Sequence, residues 1–192
     1  MLTGLPPLVS SRTRLLILGS FPGVASLAAQ QYYGHPQNHF WKILQAIWPF
    51  FPMETGADSY QIRSDWLLSR QLGVWDVYAA CEREGSLDSR IRNPEVNDFA
   101  QILQQCPALE AVAHNGGESF KHAKKIAPTL ATACAALPPE GAISPWGGPA
   151  AKCPELAIAV YKLPSTSPAN ASWSFERKLA AWREVFEKHG LT

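Results

Sequence analysis

Four short apolar runs punctuate the chain, and the segments between them carry apolar residues at helical spacing. Leu15-Leu16-Ile17-Leu18 is continuously apolar and ends at Gly19. A run of that kind, with no polar alternation, predicts a strand covered on both faces. Gly73–Tyr78, Leu109–Ala113 and Leu156–Leu163 (the last halted by Pro164) predict three more strands. Apolar positions 40, 41, 43, 44, 47 and 48 predict a helix over Phe40–Trp48. Ser59–Leu72 predicts another. Asn97 can cap a helix running to Gln105, which Pro107 stops. Glu118–Ala127 predicts a helix ended by Pro128, and Phe175–His189 an amphipathic helix closed by Gly190. Strands alternating with helices imply an α/β protein: a three-layer α/β/α sandwich around a central, mainly parallel four-stranded sheet. One domain is expected over residues 1–192. The Pro- and Gly-rich stretch 137–154 reads as a long loop, functional or mobile.

Composition narrows the picture. Apolar residues make up 46% and charged residues 17% of 192 positions, which suits a globular core. The formal net charge of +1 announces no basic field, so any nucleic-acid face must be local. Lys121, Lys124 and Lys125 could form a basic edge or simply a solvated helix face. Cysteines at 81, 106, 134 and 153 lack the close spacing of a zinc or iron–sulfur site, so no metal is expected and free thiols in a cytoplasmic chain are the simplest reading. Met1–Arg14 has no basic start followed by an apolar core, so it does not read as a signal peptide. No apolar run approaches a membrane span.

Ligands of such sheets sit beyond the carboxyl ends of the strands, and the chain's unusual residues fall there. Gly19-Ser20-Phe21-Pro22-Gly23 follows the first strand. It could be a ligand-facing turn or an ordinary strand-to-helix connection. As a phosphate loop it lacks the Lys-Ser/Thr of a P-loop and the third glycine of a dinucleotide fingerprint. Tyr33-Gly34-His35-Pro36-Gln37-Asn38-His39 crowds aromatic, imidazole and amide groups before a helix. Aromatic faces stack on bases and amides read their edges. His114-Asn115-Gly116-Gly117 follows the third strand, and Ser165-Thr166-Ser167-Pro168-Ala169-Asn170 the fourth. Hydroxyls and free N–H groups there suit phosphates, though a turn and helix cap would use the same residues. The polar Cys81–Arg90 stretch reads as an exposed, solvated loop or a functional one.

Together these segments resemble the uracil-DNA glycosylase superfamily. Gly19–Gly23 is similar to its first motif, Tyr33–Trp41 to an aromatic-x-His-Pro-x-Asn-Arg-Phe-Trp run, and Leu163–Asn170 to its second motif. Trp75-Asp76-Val77 through Gly85–Ser89 looks like the branch that excises hypoxanthine. Matching segments span residues 15 to 175. The sequence departs from most branches at Ser20-Phe21, where they carry Asp or Asn; the hypoxanthine branch shares that lack, and there the asparagine corresponding to Asn38 matters. The resemblance implies a monofunctional, cofactor-free and monomeric DNA glycosylase whose partner is DNA containing deaminated bases. It implies that Asn38 orients the attacking water. Ser20, Phe21, Tyr33, His35, His39 and Asn115 would bind the flipped base, with Tyr33 stacking on it. Ser165, Thr166, Ser167, Pro168, Ala169 and Asn170 would grip DNA, and Ala169, Asn170 or Trp173 would fill the gap left by the base. Removal of uracil or mismatched bases, and a catalytically silent nucleic-acid-binding module, are the competing readings.

Overall fold

The computed structural model describes residues 1–54, 56, 59–135 and 158–192. The expected loop at 137–154, Cys153 and the first two residues of the strand expected at Leu156–Leu163 lie outside them. At the centre is a four-stranded, wholly parallel sheet. Its strands are β2 (Leu15–Gly19), β3 (Leu72–Asp76), β6 (Ala111–Asn115) and β7 (Ala159–Leu163), in the order β3-β2-β6-β7. All five residues of β2 are buried, as a strand covered on both faces requires. Helices surround the sheet: α1 (Val24–Ala29), α2 (Phe40–Ile47), α3 (Tyr60–Ser69), α4 (Ile102–Gln105), α5 (Gly117–Phe120), α6 (Ala123–Ala135) and α7 (Phe175–Lys188). The α/β class and the four parallel strands are as the apolar pattern predicts. No helix among the described residues is long and apolar enough to cross a membrane.

Aromatic packing fixes α2 against α7. Phe40 and Trp182 are fully buried with ring centroids 5.8 Å apart at 80°. Trp48 stacks on Phe186 at 5.5 Å. Edge and offset pairs of this kind add about 0.5–1.5 kcal/mol beyond their buried area. The α2 N-terminus is thereby held rigidly, and with it the loop that leads into it.

Five local predictions differ from the structure, and in the first the helix expected over Glu118–Ala127 is two, α5 and α6, parted at Lys121-His122. The run Gly73–Tyr78 is not one strand: the chain leaves the sheet at Val77, whose N–H bonds the Gly19 carbonyl, and resumes as β4 (Tyr78–Glu82). β4 belongs to a second, antiparallel sheet with β1 (Leu2–Thr3) and β5 (Arg92–Val96). Pro128 does not end its helix but sits inside α6, on the exposed side opposite buried Ala123, Ile126 and Leu130. There the carbonyl that its missing N–H leaves free can turn to water. Leu72, expected at the end of a helix, opens β3 after Gln71 takes φ +59°. Asn97 is not the cap. Asp98 is, accepting the Ala100 N–H, while the Asn97 amide donates to the Asp76 carbonyl at 2.9 Å. Cys81 and Cys106 are buried free thiols.

Candidate active site

From β2 the chain runs to β3 on one side and later to β6 on the other, so the order reverses beside β2. A crevice beyond the strand ends is expected at such a switch. A cavity of about 600 Å³ lies there, within the size range of small-molecule sites. Ser20, Phe21, Tyr33, His35, Asn38 and Asn115 all line it. So do Ser165 to Asn170 from the loop after β7. His39 does not. Its N–H bonds the Thr166 carbonyl at 3.0 Å, and its ring packs edge-on against Phe175 in a neighbouring depression. Lys42, Trp173 and Lys178 share that depression.

The loop before α2 is built by its own polar groups. The Asn38 N–H donates to the His35 carbonyl at 2.9 Å, and Asn38 Oδ1 accepts the Phe40 N–H at 2.9 Å. Asn38 therefore satisfies the first N–H of α2 from the residue before its N-cap, His39, while lining the cavity, with its amide N–H groups and a second oxygen lone pair left over. Tyr33 takes φ +54°, unusual outside glycine. Its ring stacks on Phe40 at 3.8 Å, so a base could use only the opposite face. Tyr33 Oη is buried with no hydrogen-bond partner among the described residues; Asn115, beside it, is engaged elsewhere.

Asn115 and Thr166 grip each other. The Asn115 amide donates to Thr166 Oγ1, and Asn115 Oδ1 accepts the Thr166 N–H, each at 2.9 Å. Thr166 is 0% exposed. Its hydroxyl is thus a structural tie and cannot reach a phosphate, contrary to the expectation for this loop. Ser165 and Ser167 instead hold the next turn, accepting the N–H groups of Ser167 and Ala169. Asn170 is pinned too: its amide donates to the Ser165 carbonyl, and its own carbonyl accepts from Lys178 Nζ. Pro168 and Ala169 protrude at the exposed tip. Gly116, at φ +109°, lets β6 pass this loop; a Cβ there would lie 3.0 Å from Ser165 Cβ.

Comparison with known proteins gives this cleft its context. The family model of the uracil DNA glycosylase superfamily matches residues 6–186. The chain belongs to that superfamily. A hypoxanthine DNA glycosylase of Methanosarcina barkeri is 40% identical over 119 residues, 62% of this chain and 73% of its own length. Another of that name, from Methanosarcina acetivorans, is 39% identical over 121 residues, with the same shares covered. The solution structure of a candidate uracil DNA glycosylase from Methanosarcina acetivorans aligns with a TM-score of 0.71 at 29% identity, over 97% of this chain and 96% of its own. The chain is accordingly a DNA glycosylase, a hydrolase of N-glycosyl bonds.

Beside these motifs the glycosylase cavity holds groups with no role apparent from sequence. Asp88 and Ser86 come from the Cys81–Arg90 loop, which proves to be a wall of the cavity. The Ser20 hydroxyl donates to Asp88 Oδ1 at 2.6 Å, and Ser86 Oγ accepts the Val24 N–H at 3.0 Å. Arg83 donates to the Phe21 and Pro22 carbonyls and lies over the Phe21 ring. Asp76, at the end of β3, also faces the cavity. Its only signal in the sequence is a single acidic residue between Trp75 and Val77 in an otherwise apolar run.

Proposed function

We propose that this glycosylase excises hypoxanthine from deoxyinosine in DNA, as a monomer, flipping the nucleotide into the cavity and hydrolysing its glycosidic bond for base excision repair. The observation that carries the reading is the pairing of an absence with a presence. The turn at Ser20-Phe21 offers no carboxylate or amide, while Asn38 lines the cavity. Two relatives near 40% identity that bear the hypoxanthine name add support. A deaminated base pairs weakly, so its extrusion costs less than that of a normal one. Tyr33 stacks on the base with its free face, which contributes about 1–3 kcal/mol. The glycosidic bond breaks through an oxocarbenium-like state that accepts a weakly activated water. Asn38 orients that water with its remaining lone pair; an amide cannot take up the proton, so it acts by position. Phosphates flanking the lesion meet Ser165, Ser167 and the exposed tip at Pro168-Ala169, with Lys42 and Arg177 beyond.

The test is cleavage of labelled duplexes carrying one inosine, uracil or xanthine, read after hot alkali. Abasic sites form at inosine. Asn38→Ala lowers the single-turnover rate about 100-fold or more, the scale at which lost positioning is felt. Losing its one hydrogen bond to the Phe40 N–H costs about 0.5–1.5 kcal/mol, so the variant still folds. Full turnover by Asn38→Ala would sink the assignment of Asn38. Cleavage at uracil alone would move the chain to another branch, and DNA binding without any cleavage would favour a silent module.

A further inference from the structure

One buried titratable group in the cavity has no task in this scheme. Asp76 is 4% exposed, lines the cavity, and its Oδ2 has no hydrogen-bond partner among the described residues. An unpaired buried polar atom is destabilising, so its position calls for an explanation. The backbone holds it firmly. Asp76 pairs with Gly19 across the β2–β3 ladder, and its carbonyl accepts the Asn97 amide. Gly19 also makes room for it: a Cβ at Gly19 would collide with Asp76 Oδ1.

We propose that Asp76 acts in its protonated form as the general acid for the departing purine, its carboxyl O–H bonding a ring nitrogen of hypoxanthine. This rests on the reading above. As the C1′–N9 bond breaks, its electron pair passes to the base and the Asp76 proton moves to the ring, so neutral hypoxanthine leaves. Water then adds to C1′, and the proton it sheds restores the acid. An ionised carboxylate against a ring gaining negative charge would oppose the same step.

The charges facing Asp76 favour the neutral form. Burial raises its carboxyl to about 7, the negative charge of Asp88 pushes the same way, and Arg83 opposes. Tyr32, Tyr33 and Tyr60 also sense its charge, and their phenols are all raised, first by burial. A purine that displaces water from the cavity deepens that desolvation.

The experiment is the pH profile of single-turnover excision from an inosine duplex with enzyme in excess. The wild-type rate is expected to be flat up to a break at or above about pH 7, the value of the empty cavity, and to fall tenfold per unit beyond it. Asp76→Asn should be slower at pH 6, by the roughly 100-fold or more that general acids contribute. It should lose the pH dependence, and its affinity for an uncleavable 2′-fluoro-inosine duplex should fall far less than its rate. A wild-type rate that rises with pH or stays flat overturns the proposal, even if the variant fails to fold. So does a variant that keeps the wild-type profile. Absence of inosine cleavage by the wild type at every pH is a different failure, that of the substrate assignment, and takes this inference with it.

Discussion

At the scale of single residues, Asp76 makes a second claim, on stability. An ordinary aspartate loses its proton near 3.8, whereas Asp76 keeps it to about 7 in the fold. Between those values the unfolded chain is ionised and the folded one is not. The contribution is therefore fully present below pH 3.8 and is lost as pH rises through 7, at about 1.4 kcal/mol per unit. Asparagine escapes the loss. Asp76→Asn should thus melt above the wild type at pH 8, with the gap closing toward pH 4 in parallel thermal scans. A gap that does not change with pH would contradict the buried, protonated carboxyl. Comparing the two proteins at each pH cancels His114, whose burial lowers it to about 4 and gives the opposite slope.

At the scale of elements, the parallel strands and most helices were legible because apolar periodicity reports burial directly. The misreadings came where local signals met long-range partners. Nothing near Val77 says that its carbonyl will accept the Asn97 N–H and that Tyr78 will pair with Val96, so the jump to the second sheet was hidden. Pro128 reads as a stop unless one knows that its side of α6 is exposed. The site was legible as loops at strand ends, since more polar residues crowd there than their turns can use. Individual roles were less so. Thr166 looked like a phosphate hydroxyl because its partner, Asn115, lies 51 residues away. Thr166→Val keeps the shape and strands the Asn115 amide. It should cost about 1–3 kcal/mol, or a melting temperature lower by roughly 2–4 °C per kcal/mol for a chain of this length. Thr166→Ser, which keeps the hydroxyl, should lose much less, and equal losses for both would deny the tie.

At the scale of the whole molecule, a net charge of +1 leaves DNA affinity to a few placed cations. Exposed Lys42 borders the depression beside the cavity, and Arg177 stacks over Trp173 there at 4.4 Å. Removing one cation that neutralises a phosphate should reduce the slope of log affinity against log salt by about 0.9. The double variant Lys42→Ala/Arg177→Ala should flatten that slope by nearly two units yet excise at the wild-type rate once saturated. An unchanged slope would place the backbone elsewhere. The tie at Thr166 reaches further than stability. It joins the loop after β7 to β6 through Asn115, and to the start of α2 through His39, so the two jaws of the cleft are tied to each other at one point. Under the proposed flipping, a mouth tied in this way leaves the distortion of an encounter to the double helix, where a loosely paired base yields and a firmly paired one resists.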